Sequence, residues 1–263
     1  MDFSFDWYAG TPDVSTSDFL KFIESNFPKT YLKVGSGRQG YTASERIFTD
    51  LHDLLLTVLH SQGGDCHVIS TGSIADDVAP VLRKSVVHRL SRADIAIDYL
   101  DGSFEELYQF GLLAAKLAGV KARLIAPPPE VGDDGTGRTL YLGSRSSAGY
   151  VRIYEKGRQV KSENYPNWVR VEYEFKPQND KARYYYSTCD VVDMFSATKI
   201  GTELYKLLVG HPGSSRCRAS QISDSESYHA TLRHLKKQYG NTLQRLLHDV
   251  DFDPQQFVNS LFD

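Results

Sequence analysis

Cysteine is scarce in this chain. The three that occur, Cys66, Cys189 and Cys217, are odd in number, far apart, and lack any CxxC or Cys/His spacing. They argue against a disulfide scaffold or a zinc site and for reduced, inert thiols. Long apolar runs are missing too. None approaches the roughly 20 residues that a membrane span requires. Met1 is followed by Asp2, Asp6 and aromatic residues rather than by a basic and then an apolar region, so a cytoplasmic chain with no membrane partner is expected. Charge of one sign is also lacking. The formal net charge is −3 and the pI is near 6.2, whereas proteins that coat nucleic acid without regard to sequence usually carry a strong positive balance. Local basic patches remain open. There is no internal repeat, heptad run or long low-complexity tract.

What is present is a globular composition. With 41% hydrophobic and 12% aromatic residues over 263 positions, the chain can bury a substantial core as one large domain, or as a domain with a small appendage. Phe3, Phe5 and Trp7 alternate with Ser4 and Asp6 and predict an opening strand with one buried face, ended by Gly10 to Pro12. Ser17 is positioned to cap a helix carrying Phe19, Leu20, Ile23 and Phe27, with Pro28 as its stop. Residues 33–46 read as strand, turn, strand. Leu51, Leu54, Leu55, Val58 and Leu59 form a second apolar stripe at helical spacing, ended by Gly63 and Gly64.

A short strand near residues 67–70 and a helix over 76–90 follow. A strictly alternating strand then covers 92–99, and Ser103 starts a helix that runs to about Gly119. Residues 127–137, rich in proline, glycine and acidic side chains, predict a loop before strands at 140–143, 151–156 and 168–176. From Asp180 the pattern turns helical, with helices expected at 184–194 and 198–208. His211 to Ser214 reads as a linker, which divides the chain into a domain over 1–211 and a helical C-terminal extension over 212–263. That extension includes a basic helix with Arg233, Lys236 and Lys237.

Three of these strands share a chemical feature. Side chains at i, i+2 and i+4 of a strand project to one face. Ile95, Ile97 and Tyr99 therefore oppose Arg92, Asp94, Ala96 and Asp98. Val169, Val171, Tyr173 and Phe175 oppose Arg170, Glu172 and Glu174, while Val151 and Ile153 oppose Arg152, Tyr154 and Lys156. If the strands are antiparallel neighbours, about 4.8 Å apart, their polar faces collect carboxylates, arginines, a lysine and a tyrosine. Hard cations such as Mg²⁺ or Mn²⁺ prefer carboxylate oxygens and can polarise a phosphoryl group. A tyrosine hydroxyl can be a covalent nucleophile. The same alternation also describes any half-solvated antiparallel sheet whose charges pair across strands. With 16 tyrosines in the chain, composition does not choose among them.

The motifs Ser91-Arg-Ala-Asp-Ile-Ala-Ile-Asp98, Thr139-Leu-Tyr-Leu-Gly-Ser-Arg145, Val151-Arg-Ile-Tyr-Glu-Lys-Gly157 and Trp168-Val-Arg-Val-Glu172 resemble, in order and spacing, the replication initiation factor family Rep_trans. These are rolling-circle initiators of small plasmids and filamentous phages, with relatives among conjugative relaxases. The resemblance covers residues 1–210, with its specific motifs within 91–174. It implies that Tyr154 is the nucleophile that becomes linked to a 5′ phosphate and leaves a free 3′ hydroxyl. It further implies that Lys156 and Arg170 bind or polarise phosphate, and that Asp94, Asp98 and Glu172 hold a divalent metal, Mg²⁺ or Mn²⁺. The lack of a His-hydrophobic-His motif fits a carboxylate-based site.

The fold expected is α+β, with a central, mainly antiparallel sheet and helices on its apolar face. Single-stranded or hairpin origin DNA, a host helicase and a second copy of the chain are the implied partners. A relaxase with the same chemistry, a noncatalytic origin-binding protein and a nuclease that uses water are the alternatives.

Overall fold

The computed structural model describes residues 2–61, 64–127 and 136–209. The expected linker and helical extension over 212–263, and the loop residues 128–135, lie outside these. In chain order the elements are β1 (Ser4–Pro12), α1 (Thr16–Asn26), β2 (Thr30–Ser36), β3 (Ala43–Thr49), β4 (Leu54–His60), β5 (His67–Thr71), α2 (Ala75–Ser85), β6 (His88–Tyr99), α3 (Phe104–Ala118), β7 (Ala122–Ile125), β8 (Thr139–Leu142), β9 (Gly149–Glu155), α4 (Lys156–Gln159), β10 (Val169–Phe175), α5 (Asp180–Thr188), α6 (Val191–Phe195) and α7 (Lys199–Val209). The ten strands form one sheet in the order β2-β3-β4-β5-β1-β6-β10-β9-β8-β7. Every pairing in it is antiparallel. The architecture is α+β, as expected.

Helices cover the apolar face of the central strands. Gly111 brings α3 so close to β8 and β9 that an added Cβ would lie 2.7 Å from Leu140 Cδ2 and 2.8 Å from Ile153 Cδ1. Phe195 of α6 packs on Tyr173 of β10, with ring centroids 5.0 Å apart, and Tyr186 of α5 meets Phe175 edge to face at 4.7 Å. Ile95, Ile97, Ile153, Val171 and Tyr173 are buried beneath these helices. Burying side chains of this size contributes about 1.5–3 kcal/mol each. The α3 caps follow the expected chemistry: the Ser103 side chain accepts the Glu106 N–H, and Gly119 ends the helix at φ 72°, a conformation glycine adopts without a Cβ clash.

Several local expectations are corrected. The apolar stripe at 51–59 is not a helix; Leu54–His60 form β4, whose Leu55, Leu56, Thr57, Val58 and Leu59 are all buried. A strand covered on both faces shows no period of two, and a short continuous apolar run cannot be told from a helix by spacing. The cap of α1 is Ser15, whose side chain accepts the Asp18 N–H, rather than Ser17. The helix expected to reach residue 90 stops at Ser85, and Leu90 is buried within β6. The helix expected over 184–194 is two helices, because Asp190 caps a fresh start by accepting the Val192 N–H. Strand β7 at the sheet edge escaped sequence reading; all four of its residues are exposed, so it carries no burial pattern. No helix among the described residues is long and apolar enough to cross a membrane.

Candidate active site

Strands β6, β10 and β9 are consecutive neighbours, and their register stacks the polar side chains in rows. Arg170 lies between Asp98 of β6 and Tyr154 of β9, Glu172 faces Arg152, and Glu174 faces Asp94. Tyr154, Arg170, Asp94, Asp98 and Glu172 therefore share one face, while their neighbours Ile153, Val171, Ile95 and Ile97 enter the core. Lys156 does not continue the strand. It opens the short helix α4, and its Nζ lies 5.7 Å from the Tyr154 ring centroid and 6.0 Å from that of Trp168.

Strand β1 adds a residue that periodicity did not place in the site. A register shift between Phe5 and Trp7 lets Phe5 stay in the core while Trp7, expected beside it, crosses to the polar face. There Arg92 lies over the indole at 4.4 Å. A β-bulge re-aims side chains in this way. Asp6, at the bulge, accepts a hydrogen bond from Arg170 Nη1 at 2.6 Å.

Although this face is polar, much of it is buried: Asp94 is 2% exposed, Glu172 1%, Glu174 5% and Tyr154 8%. Buried carboxylates persist only when paired, and each of these is paired. Arg92 donates from Nε to Asp94 Oδ1 at 2.8 Å and from Nη2 to Oδ2 at 2.6 Å, and lies 3.0 Å from Glu174 Oε2. Lys176 also pairs with Glu174. Arg152 pairs with Glu172 and stands 3.9 Å from Asp94. Arg170 clasps Asp98 in a fork, Nε to Oδ1 at 2.7 Å and Nη2 to Oδ2 at 2.8 Å, and the Trp168 indole N–H donates to Asp98 Oδ1 at 2.6 Å.

Tyr154 donates its hydroxyl proton to Glu172 Oε2 at 3.1 Å. Burial pushes the phenol above the ordinary tyrosine range, and the neighbouring Arg170 guanidinium pulls part of the way back. Burial, reinforced by repulsion from Arg170, holds the Lys156 ammonium below its ordinary value. Burial likewise raises the Asp94 carboxyl, against the pull of Arg92.

The residues named from sequence for a metal, Asp94, Asp98 and Glu172, do not converge. Asp98 belongs to the Arg170 fork, and both oxygens of Glu172 and of Asp94 already accept from arginine or tyrosine donors. Among the described residues no group of three His, Cys, Asp or Glu side chains is placed to hold a metal ion. As arranged, these carboxylates fit arginine rather than a divalent cation. The residues that sequence reading left without a role are Asp6, Arg92, Arg152, Glu174 and Trp168. Alternation put Arg92, Arg152 and Glu174 on the correct face, but pairing partners are not written in a single strand. The thiols of Cys66 and Cys189 are pushed up to about 11 and about 12, chiefly by burial, which fits inert cysteines.

No curated protein matches the chain. Among solved structures, a rolling circle replication initiator protein from Geobacillus stearothermophilus has a similar fold, with a TM-score of 0.51 at 21% sequence identity over 66% of this chain and 75% of that one. The family model described as replication initiation factor, Rep_trans, matches residues 88–261, a span that holds β6, β9 and β10 and the whole of their polar face but for Asp6 and Trp7, so the chain belongs to the replication initiation factor family.

Proposed function

We propose that the protein is a rolling-circle DNA replication initiator that nicks one strand of its origin by transesterification at Tyr154. The observation that carries this reading is the Tyr154 hydroxyl, buried on the polar face, hydrogen-bonded to Glu172 and directly across the ladder from Arg170. A phenol held above its usual range needs a base, and a carboxylate within hydrogen-bond reach is one.

In this reading Tyr154 Oη attacks the scissile phosphorus while its proton passes to Glu172. The bond between phosphorus and the 3′ oxygen breaks. The DNA is left joined to Tyr154 through its 5′ phosphate, and the 3′ oxygen takes up a proton to become a hydroxyl that a polymerase can extend. Arg170 and Lys156 supply positive charge to the phosphoryl oxygens as charge develops there, and Lys156 is the acid that delivers the proton to the leaving oxygen. Phosphodiester energy is retained in the tyrosyl link, so the same site can rejoin ends. No step is routed through a metal, because a divalent ion would first have to take Asp94 or Glu172 from its arginine. Origin DNA and a host helicase are the partners this reading requires, and a second copy of the chain is compatible with it.

The test is a denaturing gel of the protein and its Tyr154→Phe variant after incubation with labelled single-stranded origin DNA, with and without Mn²⁺. A covalent adduct from wild type that Tyr154→Phe cannot form is the expected result. DNA binding with no adduct and no cleavage would sink the reading in favour of a noncatalytic origin-binding protein. Cleavage without an adduct would replace it with a hydrolytic nuclease.

A further inference from the structure

We infer that a cleft at the end of β9 and β10, on the helix side of the sheet, holds one nucleotide of the DNA strand adjoining the scissile phosphate. The inference rests on the nicking reading and adds to it a second contact for the same strand.

The cleft measures about 570 Å³, within the roughly 300–1,000 Å³ typical of small-ligand sites. Its lining combines the two surfaces that a nucleotide needs. Trp168 and Pro166 are its ring and apolar walls, Phe104 lies buried behind them with the Arg138 guanidinium 4.3 Å over its ring, and Arg138, Arg158 and Lys161 are its cations. Aromatic surface stacks any base, and lysine and arginine take the phosphate. Two of the cations have internal partners: Arg138 bonds Glu155 and Glu105, and Arg158 Nε stands 3.6 Å from Glu155 Oε1. Lys161 has no carboxylate within ion-pair distance among the described residues and is exposed. Its backbone holds the left-handed conformation, φ 51°, which a lysine adopts at a cost. The surrounding turn imposes it. Ser162 N–H donates to the Gly157 carbonyl at 2.8 Å, and Gly157 is pressed so close to residues 165 and 166 that an added Cβ would lie 2.3 Å from the Tyr165 carbonyl oxygen. That turn presents Lys161 at the cleft.

The cleft adjoins the tyrosine through the chain and through one side chain. Glu155, in its wall, follows Tyr154 directly, and consecutive strand residues project to opposite faces. A strand of DNA leaving Tyr154 therefore reaches the cleft by passing round the end of the ladder, where α4 begins. Trp168 stands at that corner. It lines the cleft, while its indole N–H holds Asp98, the carboxylate that clasps Arg170 opposite Tyr154.

The experiment measures binding of a fluorescein-labelled oligothymidylate by anisotropy across a salt series. It uses the full chain carrying Tyr154→Phe, so that nothing turns over, with and without Lys161→Ala or Lys161→Glu. Lys161 is exposed and has no ion-pair partner among the described residues, so the thermal midpoint should not move. The expected result is weaker binding, more so for Lys161→Glu, and a salt slope shallower by about 0.7 for Lys161→Ala, the value for one lost phosphate contact on a single strand. Unchanged affinity and slope in both variants would overturn the inference. So would thymidine monophosphate binding that depends on Lys161 while the oligonucleotide does not, since the cleft would then serve a free nucleotide. Adduct formation by Lys161→Ala in the Tyr154 background is read separately. If the wild type forms no adduct, nicking fails as a reading, and the anisotropy still decides the cleft.

Discussion

Glu172→Gln separates the chemistry of the polar face from its stability. The change removes one charge and keeps the shape. In the native arrangement Glu172 Oε2 accepts the Tyr154 O–H at 3.1 Å and Oε1 pairs with Arg152. A glutamine retains one carbonyl acceptor and turns a donor toward the other partner. Leaving a buried charge without its partner costs about 3–5 kcal/mol, but the Arg152 side chain is 27% exposed and keeps Asp94 at 3.9 Å. The loss expected is therefore nearer the ~1–3 kcal/mol of an unsatisfied polar group. A domain of ordinary stability survives that. The effect on nicking is larger, because the amide cannot take the proton. Loss of a general base lowers rates by about 10²–10⁴-fold.

The assay follows nicking of saturating single-stranded origin DNA, alongside urea unfolding and DNA binding of the same protein. Nicking should fall by at least about a hundredfold while binding stays within about threefold, equivalent to roughly 0.6 kcal/mol. A variant that nicks at the wild-type rate refutes the base assignment. A variant whose binding falls as far as its nicking shows that Glu172 shapes the face rather than acting on the proton.

Three further outcomes follow from the packing. Burial holds His67 down to about 4, so the folded state carries it neutral while the unfolded chain protonates it near its usual value. The stability it contributes is full above about pH 6.5 and is lost as pH falls toward 4; urea midpoints should drop over that window, and His67→Gln should flatten the drop. Gly201→Ala should destabilise by about 1–3 kcal/mol even though alanine is the better helix former by about 1 kcal/mol, because the new Cβ would lie 2.0 Å from the Phe195 carbonyl oxygen; a raised thermal midpoint would contradict the close approach of α7 to α6. Because the carboxylates of the polar face are engaged by arginines, calorimetric titration of Mn²⁺ into the protein without DNA should give no binding tighter than about millimolar, some 4 kcal/mol; a tight one-site isotherm would show that the arginines yield to metal.

Local sequence determined a good deal by itself. Strands β6, β9 and β10, and the face on which Asp94, Asp98, Tyr154, Arg170 and Glu172 lie, were readable because backbone geometry alone makes strand side chains alternate. The start and end of α3 were readable because Ser103 and Gly119 act on the turns beside them. The four motifs, taken together, carried the family. What the tertiary structure decided is everything that depends on a partner distant in the chain. Leu54–His60 became β4 because neighbouring strands and both sheet faces enclose it, and no spacing within seven residues reports that. Trp7 joined the polar face because β1 slips register against β6, an event settled between two strands. Asp94, Asp98 and Glu172 looked alike in sequence, yet each is held by a different arginine, Arg92, Arg170 and Arg152. Charge pairing acts through space over a few ångströms, so only the assembled sheet could assign those arginines to their carboxylates.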